Sequence, residues 1–404
     1  MKKATVLQQH VNTLAKLSSS PGKAAPDLGR VATALLQLQR GLTDERVLAG
    51  GHYMEEKSLL QAYLLYYWPV SYQQLMHMLR KLPATAFNFP KEAGISILDI
   101  GSGPGPASAA ICDYLTKEQG IQASSLSVRL LDHSPKALSL AKHFFSRDFP
   151  AVSTESFACN LEEEFPPSGG LPAKQGYNIA VMGHSLNEMW KDDSAKRKKR
   201  TAFLGRLLDE LMAEDSLLIL CEPAQTKSSR ELIAVRDSLL AARNDLDLLS
   251  PCPGAGFPCP ALLQGEGTTC HDEGDWEPVA PATRLAQMAG LNRTSIKLSY
   301  FAFKKHGTGG PAAPERQNAE DGTFTARVVS DAMLNKAGRT RFVLCDGKRR
   351  FSISAKKGEK AADDCGFWKL KRGQLIMVRG AQARSAEGGP SYAVAEGTGI
   401  QLLG

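Results

Sequence analysis

The stretch "LDIGSGPGPAS", from Leu98 to Ser108, decides the fold of this chain. An apolar strand carries an acid, Asp99, near its end, and a helix begins at about Pro106. Between them lie three glycines: Gly101, Gly103 and Gly105. Glycines are needed where a backbone turns tightly and approaches a ligand closely, because a side chain would intervene. The stretch therefore predicts the first strand, turn and helix of an α/β sheet that binds a ligand at this edge.

Short apolar runs alternate with helical stretches from Ile95 onward, which is the pattern of a doubly wound α/β sheet. They predict strands one to five, of which the third is weaker than the others: "ISILDIG", "LSVRLLDHS", "VSTESFACN", "YNIAVMGHSLNEM" and "DSLLILCEP". A later run, "LNRTSIKLSYFAFKK", is predicted to supply the last strands of the same sheet. We expect a Rossmann-like domain over residues 93–305, with a cysteine-rich insertion at 250–280.

Strand two ends in "LLDHS", which places Asp132 about 30 residues beyond the first glycine. An acid at the carboxyl end of this strand can accept hydrogen bonds from both ribose hydroxyls of a nucleoside. The turn lacks the full G-x-G-x-x-G spacing of a dinucleotide site, because Ala107 and Ser108 follow the last glycine and Pro106. The pattern predicts a nucleoside cofactor other than a dinucleotide; a similar sheet with an empty pocket is the alternative.

Three further regions flank this core. Residues 1–92 carry apolar residues at three-to-four spacing, which predicts a helical N-terminal lobe. Residues 306–322 are rich in glycine, proline, alanine and polar residues, as is typical of a linker. Residues 323–404 contain short apolar runs split by turn residues, which predicts a small β-barrel of the oligonucleotide-binding type or a β-sandwich.

The composition indicates a soluble globular protein. A chain of 404 residues that is 43% hydrophobic and 23% charged can bury a full core. Its longest apolar runs are too short to span a bilayer, and no signal peptide opens it. Eight cysteines without an export signal favour reduced thiols or metal ligands over disulfides. We expect a protein of the bacterial cytoplasm, with the mitochondrial matrix as the alternative.

Positive charge is clustered, although the formal net charge is only +7. Dense basic clusters neutralise phosphates, so RNA is the expected polyanion. A solvated basic helix face without a partner is the alternative interpretation. The candidate RNA-binding residues are Lys196, Arg197, Lys198, Lys199, Arg200, Lys304, Lys305, Lys348, Arg349 and Arg350.

A second candidate site lies in "PCPGAGFPCP", residues 251–260, where Cys252 and Cys259 stand among prolines and glycines. Cys270 follows, so three thiols fall within nineteen residues of a loop that buries too little apolar surface to order itself. Thiolates around a metal would supply a crosslink, and sulfur ligands suit zinc or an iron–sulfur cluster. The spacing is not the C-x-x-C of a zinc ribbon, which favours the cluster; three unrelated loop cysteines are the alternative. The fourth ligand stays open among His271, Cys345 and Cys365.

The glycine turn and the strand-end acids resemble the S-adenosylmethionine site of the seven-stranded methyltransferase fold. By that resemblance, the acid and glycines of strand one hold the methionine end, Asp132 binds ribose, and Asn160 with Leu161 flanks adenine. The resemblance implies a cofactor-binding set of Asp99, Gly101, Ser102, Gly103, Gly105, Asp132, His133, Asn160 and Leu161.

The end of strand four, "GHSLNEM", is where such enzymes keep residues that face the substrate. Transfer of a methyl group from a sulfonium needs in-line placement of a nucleophile and, for some substrates, a base. The candidate catalytic residues are His184, Asn187 and Glu188. Polar residues at the rim of the pocket are the alternative interpretation, and the sequence assigns no catalytic residue.

From about His52 to its C-terminus, the chain resembles the methyltransferase-like assembly family of the small ribosomal subunit. The resemblance is carried by a helical lobe before a methyltransferase core, by the "PCPGAGFPCP" insertion and by "FVLCDG" in the C-terminal module. In that family, four cysteines hold a four-iron four-sulfur (4Fe-4S) cluster. Matched residue by residue, these are Cys252, Cys259, Cys270 and Cys345, which leaves Cys365 and His271 outside the ligand set.

The resemblance implies binding of S-adenosylmethionine and of small-subunit rRNA during ribosome assembly, by a chain that is a monomer away from the ribosome and has no membrane partner. It leaves open an active S-adenosylmethionine-dependent RNA methyltransferase and an RNA-binding assembly factor that uses the same fold as a scaffold. A protein or small-molecule methyltransferase with a structural zinc is the third interpretation. We also expect a cluster shared by Cys270 and Cys345 to dock the β-module onto the core.

Overall fold

The computed structural model describes residues 4–19, 26–44, 53–89, 94–167, 171, 176–254, 258–291, 293–307, 322–384 and 391–403. The chain divides into two compact units. The first is Met1–Pro223 with Gly274–Lys297, and the second is Ala224–Glu273 with Leu298–Gly404. Most of the linker expected at 306–322 lies outside the described residues, and the domain boundaries expected at residues 92 and 305 stay predictions.

The α-helices follow one another as α1 Val6–Ser18, α2 Leu28–Gln39, α3 Lys57–Ala62, α4 Trp68–Leu79, α5 Pro106–Asp113, α6 Pro135–Asp148, α7 Lys196–Arg206, α8 Thr226–Ala242, α9 Pro260–Leu263, α10 Ala282–Met288 and α11 Lys360–Asp364. There are π-helical turns at Arg40–Asp44, Tyr63–Tyr67, Tyr114–Glu118 and Leu207–Leu211, and 3-10 turns at Tyr53–Glu55, Ala84–Phe87, Ala123–Ser125 and Phe367–Lys369. The described part of the N-terminal region is therefore helical, as predicted. No helix within the described ranges is long and apolar enough to cross a membrane.

The β-strands are β1 Ile95–Ile100, β2 Leu126–Asp132, β3 Ser153–Ala158, β4 Tyr177–Gly183, β5 Met212–Pro223, β6 Leu246–Ser250, β7 Asp272–Asp275, β8 Ser295–Lys305, β9 Phe324–Val328, β10 Met333–Leu334, β11 Arg339–Cys345, β12 Arg350–Lys356, β13 Leu375–Arg379, β14 Gln382–Arg384, β15 Ser391–Ala393 and β16 Gly399–Leu402. Strands β1 to β5 are the five predicted for the core, including the weaker third strand. Strand β4 ends at Gly183, so "HSLNEM" forms the loop that follows it.

The first unit contains a parallel sheet with the order β3-β2-β1-β4-β5. The interiors of β1 and β4 are buried, which is why these strands read as continuous apolar runs. The strand order reverses between β1 and β4. In open α/β sheets, ligands bind at such a switch point, beyond the carboxyl ends of the strands. The Rossmann-like core is thus confirmed, and the glycine turn after β1 lies at this switch point.

Helices α5 and α6 both begin at this edge. Gly105, in the left-handed conformation, precedes α5, and Pro106 takes its first position, where a missing amide costs no hydrogen bond. Ser134 caps α6, because its Oγ accepts a hydrogen bond from Ala137 N at 3.2 Å. The caps fix where the two strand-to-helix turns lie.

In the second unit, β6 pairs antiparallel with β8. The run "LNRTSIKLSYFAFKK" was predicted to supply several strands, but it forms only β8. Its neighbour β6 comes from "LDLLS", which the sequence did not predict because five residues give too little periodicity.

The C-terminal part of the second unit is a β-rich module, as predicted. Its strands are ordered β14-β15-β12-β11-β9-β13-β16, with β10 beside β11, and the β12–β15 pair is parallel while the other pairs are antiparallel. The expected strand "QLIMVRGAQA" is split into β13 and β14 at Gly380, which has a φ of +67°. The core of the module includes Phe342, Phe351, Ile353 and Phe367. Strands β10 and β16 and helix α11 were not predicted.

Candidate functional site

Three glycines form the turn between β1 and α5. Their φ angles are +69° at Gly101, +51° at Gly103 and +77° at Gly105. A Cβ on Gly101 would collide with the Cβ of Ser185, and a Cβ on Gly105 would lie 2.9 Å from Cε2 of Phe145. Both the left-handed backbone and the lack of space require glycine. The turn is therefore held by its own conformation and by the loop after β4.

Asp99 is a buried carboxylate with one satisfied oxygen. Its Oδ2 accepts hydrogen bonds from Ser108 N at 3.1 Å and Ser108 Oγ at 2.7 Å. Its Oδ1 is buried and has no hydrogen-bond partner among the residues that the structure describes. Burial raises the pKa of Asp99 to about 7. The free oxygen is an acceptor for a ligand group with N–H donors, such as an ammonium group.

Asp132, at the end of β2, holds the glycine turn in place. Its Oδ2 accepts from Gly103 N at 2.8 Å, and its Oδ1 accepts from Ser134 N at 2.8 Å. Burial raises the pKa of this carboxyl group. Each oxygen keeps a second lone pair that a ligand hydroxyl can use. His133 lies beside it, with Nδ1 3.7 Å from Asp132 Oδ1.

The other residues expected in the cofactor set lie at the same edge of the sheet. Ser102 is buried, and its amide donates at 2.9 Å to the carbonyl of the residue before Asp132. Cys159 N donates to Asp132 O at 3.0 Å, which brings the end of β3 beside β2. Asn160 is exposed and Leu161 is half-buried in the turn that follows. The nine residues are thus gathered at one edge, while their contact with a cofactor stays a prediction.

The 3-10 turn Tyr53–Glu55 of the helical lobe also belongs to this site. Glu55 Oε1 accepts from Ser134 Oγ at 2.5 Å. Met54 Cε lies 3.5 Å from the position that a Cβ on Gly103 would take. The sequence did not predict this contact, because no local motif marks a bond between residues 79 positions apart. The helical lobe therefore covers the glycine turn and the end of β2.

Two tyrosines of the lobe lie within electrostatic range of the acids of the site. The ring centroids of Tyr53 and Tyr63 are 6.4 Å apart. Burial, and then the negative charge of Glu188, raises the pKa of both phenols, and Asp132 adds to the effect. Both phenols stay protonated at neutral pH, which keeps them hydrogen-bond donors.

His184, a candidate catalytic residue, is held in a defined protonation state. Gln74 Nε2 donates to Lys297 O at 2.7 Å, which turns Gln74 Oε1 toward His184 Nε2 at 2.8 Å. Because that oxygen can only accept, Nε2 carries the proton. Burial lowers the pKa of His184 to about 4, so the ring is neutral at pH 7. Nδ1 is then a buried acceptor that no described residue satisfies.

Asn187, the second candidate, is bound to Glu222 at the end of β5. Glu222 Oε1 accepts from Asn187 N at 2.9 Å, and Oε2 accepts from Asn187 Nδ2. Glu222 is 1% exposed, and burial raises its pKa to about 8. Sequence reasoning missed this residue, although "LCEP" places an acid at the carboxyl end of a predicted strand, just as for Asp99 and Asp132. Asn187 thus positions the loop, and Glu188 is the half-buried candidate beside it.

The prediction that Arg200 binds RNA is wrong. This residue is 3% exposed, and its guanidinium donates to Met189 O at 2.7 and 3.0 Å and to Asn187 O at 2.9 Å. Its position on α7 shares the buried face with Phe203 and Leu204, so helical periodicity turns it inward. Arg200 fixes the loop after β4 instead.

Lys304 and Arg350 also differ from the remaining basic candidates. Lys304 is buried on β8, so its assignment to an RNA surface is wrong. Arg350 is half-buried and donates from Nη2 to Thr269 O at 2.7 Å. The other candidates are exposed or half-buried and stay predictions: Lys196, Arg197, Lys198, Lys199, Lys305, Lys348 and Arg349.

The four cysteines of the expected cluster all belong to the second unit; we call Cys252, Cys259, Cys270 and Cys345 the cysteine centre. All eight cysteines of the chain lie in the described ranges, and none is disulfide-bonded there. Burial raises the pKa of Cys252, Arg236 opposes the rise, and the other three sulfurs of the centre add to it. The four sulfurs are thus within electrostatic range of one another. The insertion and the β-module belong to the same compact unit.

Backbone contact brings two of these cysteines together. Gly347, two residues after Cys345, has a φ of +91°. A Cβ on Gly347 would lie 2.8 Å from Gly254 O and 2.9 Å from Gly254 Cα. Gly254 is two residues after Cys252. The turn after β11 therefore packs directly on the start of the insertion, and glycine is required for that approach.

Helix α8 and strand β8 anchor the other two cysteines. Ser229 Oγ and Ser299 Oγ donate to Cys270 O at 3.0 and 2.9 Å. Cys259 N donates to Asp237 Oδ2 at 2.7 Å. These bonds attach an irregular loop to regular elements.

Within the described ranges, no three His, Cys, Asp or Glu side chains are arranged to hold a single metal ion. The two residues left outside the expected ligand set have other contacts. His271 Nδ1 lies 3.1 Å from Thr269 Oγ1, and Cys365 packs against the core of the C-terminal module.

A family model described as mitochondrial small ribosomal subunit Rsm22 matches residues 57–367, which is more than half of the chain. No individual curated protein sequence matches the chain at a significant level.

Solved structures of methyltransferases are similar to this chain at low identity. The plantazolicin methyltransferase BpumL in complex with SAH is 12% identical, with 75% of this chain and 100% of that chain covered and a TM-score of 0.33. A protein of Listeria monocytogenes assigned as a class I S-adenosylmethionine-dependent methyltransferase is 11% identical, with 77% and 91% covered and a TM-score of 0.40.

Proposed function

The chain belongs to the Rsm22 family of the mitochondrial small ribosomal subunit, and on that premise we propose that it supports assembly of the small subunit by binding its rRNA. In this proposal the first unit binds S-adenosylmethionine and the cysteine centre holds a four-iron four-sulfur cluster. The observation that carries the proposal is the grouping of Cys252, Cys259, Cys270 and Cys345 within one compact unit.

The glycine-turn site supports the cofactor part of the proposal. S-adenosylmethionine offers an ammonium group, two ribose hydroxyls and an adenine, together with a transferable methyl group on its sulfonium. Asp99 Oδ1 would accept from the ammonium group, and the free lone pairs of Asp132 would accept from ribose. The glycines leave room for the ligand to approach the backbone.

The donor set of the cysteine centre supports the cluster. Iron–sulfur clusters are held by four cysteine thiolates, and all four candidates are buried or half-buried in the protein. Hydrogen bonds with Asp237 and Ser229 hold Cys259 and Cys270, respectively. The close approach of Gly254 and Gly347 holds the segments that carry Cys252 and Cys345. A structural zinc on a subset of these residues is the competing occupant, and metal analysis decides between them.

The distribution of charge supports RNA binding through the C-terminal module. Residues 323–404 contain 15 lysines and arginines against seven aspartates and glutamates, a formal charge of +8, whereas the whole chain has +7. The net positive charge of the chain thus resides in this module. Phosphate neutralisation by lysine and arginine supplies most non-specific affinity for nucleic acid. We take the module to be of the oligonucleotide-binding type, a partly open barrel that binds on its sheet.

The first experiment is anaerobic purification with analysis of iron, sulfide and zinc. The wild type is expected to contain about four irons and four sulfides per chain. Cys252→Ser and Cys345→Ser are expected to lose them, while Cys365→Ser, the matched control outside the ligand set, keeps them. A colourless wild type with one zinc, or iron retained in both ligand variants, would overturn the cluster.

The second experiment concerns rRNA. The double variant Lys348→Glu/Arg349→Glu should weaken binding of small-subunit rRNA and reduce the slope of log K against log salt by about 1 to 2. Arg197→Glu/Lys198→Glu tests the basic cluster of the first unit in the same titration. Equal salt slopes for the wild type and both double variants would contradict the proposed RNA surface.

An active methyltransferase is the second candidate function, and the unsatisfied Nδ1 of His184 favours it. A neutral imidazole acceptor beside the glycine turn is suited to accept a proton from a substrate nucleophile. Asp99→Ala separates the two functions. Loss of a specific rRNA methyl mark supports the enzyme, while normal marks together with stalled subunits support the scaffold.

Compartment and oligomeric state belong to the same proposal. Although the family description names the mitochondrial subunit, we propose the bacterial cytoplasm as the location of this chain. We also propose that the chain is a monomer when it is not on the ribosome. Light scattering of the purified protein tests the monomer, and cosedimentation with small subunits from fractionated cells tests the location.

A further inference from the structure

Three arginines of the second unit lie around the cysteine centre: Arg236 on α8, Arg327 on β9 and Arg350 on β12. In the sheet register, Cys345 on β11 stands opposite Arg327 of β9 and opposite Arg350 of β12. Arg327 Nη1 donates a hydrogen bond to Cys270 Sγ at 3.2 Å. One cysteine therefore has an arginine on each neighbouring strand, and one of these arginines also reaches a second cysteine.

Arg327 and Arg350 are poorly satisfied by the residues that the structure describes. Arg236 and Arg327 are 1% and 2% exposed. Arg236 pairs with Asp237, and Arg327 Nη2 lies 3.4 Å from Asp272 Oδ2. Nevertheless, Nε and Nη2 of Arg327 and Nε of Arg350 are buried without a hydrogen-bond partner in the described ranges. Burying a guanidinium is costly unless its charge and its donors are compensated.

Neutral thiols do not compensate buried cations, because a thiol is only a weak acceptor. Four thiolates around an iron–sulfur core form an anion, and its sulfur atoms accept hydrogen bonds. Unsatisfied guanidinium donors beside the cysteines are therefore suited to an anionic, sulfur-rich occupant. The same donors suit a neutral thiol set poorly.

We propose that Arg327, with Arg350 on the opposite side of Cys345, is a positioning residue for the iron–sulfur cluster. Its Nη1 donates a hydrogen bond to Cys270 Sγ, and its positive charge would offset the negative charge of a bound cluster. This inference rests on the proposed cluster. Positive charge and hydrogen bonds to sulfur favour the reduced level and raise the reduction potential. A guanidinium stays protonated at accessible pH, so the effect persists across the pH range.

The test compares four variants of the full chain, purified anaerobically: Arg327→Gln, Arg327→Lys, Arg350→Gln and the control Arg349→Gln. Arg349 lies in the turn between β11 and β12, directly before Arg350, but it is exposed and pairs with Asp346 at 3.1 Å. Iron and sulfide content, thermal midpoint and reduction potential are measured for each. Arg327→Gln is expected to lower the equilibrium constant for one-electron reduction of the cluster at least tenfold. This corresponds to a shift of about 59 mV to more negative potential. Arg327→Lys should shift the potential less, because it keeps the charge. Arg349→Gln should keep the iron content, thermal midpoint and reduction potential of the wild type.

The outcomes separate this inference from the function on which it rests. A wild type with about four irons, whose iron content and potential are unchanged in Arg327→Gln, would overturn the inference and leave the cluster standing. A wild type without iron would overturn both. If Arg327→Gln does not fold, Arg327→Lys and Arg350→Gln decide, and potentials equal to that of the wild type in both would overturn the inference.

Discussion

The glycine-turn site of the first unit and the cysteine centre of the second unit are built in opposite ways. The first uses residues at the ends of adjacent parallel strands, and its acids are held by backbone amides, such as those of Gly103 and Ser134 for Asp132. The second uses cysteines from residue 252 to residue 345, held by side chains and by the approach of two glycines. A sheet preforms the first site, whereas the second depends on long-range contacts. Substitutions should therefore affect the two sites separately.

The largest effect is expected from Gly347→Ala in the second unit. A methyl group there meets the backbone of Gly254 and must adopt a left-handed φ, which together destabilise by about 3 kcal/mol. We expect most of the iron to be lost while S-adenosylmethionine binding is retained, as measured by metal analysis and calorimetry. Gly358→Ala is the matched control, because it has a φ of +88° with open space around it. Equal iron content in the two variants would contradict the role of this close approach.

Gly101→Ala is the corresponding substitution in the first unit. Its Cβ would collide with Ser185 at a φ of +69°, so we expect a loss of about 3 kcal/mol and no S-adenosylmethionine binding. Iron content should stay at the wild-type level. Gly120→Ala has nearly the same φ, +70°, but no neighbour within 4 Å, and should cost only about 1 kcal/mol. Urea unfolding of both variants checks this; equal losses would show that space at Gly101 is not the constraint.

Asp99→Asn is expected to weaken S-adenosylmethionine binding by about 10- to 100-fold, because a charge-assisted hydrogen bond contributes about 1.5–3 kcal/mol. Isothermal calorimetry measures the effect. The exposed Asp192→Asn serves as the control. An unchanged affinity in Asp99→Asn would contradict the proposed contact between Asp99 Oδ1 and the ammonium group. It would also contradict the orientation proposed for the cofactor.

The effect of Glu222→Gln on the free energy of unfolding is small at low pH and grows as the pH rises. Burial raises the pKa of Glu222 to about 8, so its stability contribution is complete below the unfolded pKa near 4.5 and is lost as the pH rises toward 8. The amide does not ionise, so the stability of the variant relative to the wild type should increase by about 1.4 kcal/mol per pH unit across that window. Unfolding between pH 5 and 8 measures it, with the exposed Glu214→Gln on the same strand as control. Parallel pH profiles for the wild type and Glu222→Gln would contradict the buried, protonated state.

The Rossmann-like core could be predicted from the sequence because its information is local. Buried parallel strands give continuous apolar runs, and three glycines with an acid mark the turn at the switch point. Even the weak β3 was found by this reasoning. Glu222 was missed, although the same rule of acids at strand ends would have found it. Strands β6 and β10 were missed because they are too short to show a period.

The sequence by itself determined strands β1 to β5, the glycine turn, the cysteine-rich insertion and the family resemblance, because each depends on residues that are neighbours in the chain. Only the tertiary structure decided that Arg200 and Lys304 are buried, that Tyr53–Glu55 covers the glycine turn, and that Arg327 reaches Cys270. The residue type of a basic residue in a charged run does not show whether its side chain faces solvent or the protein interior. Which face it takes depends on packing between residues far apart in the chain, and no local pattern encodes that packing.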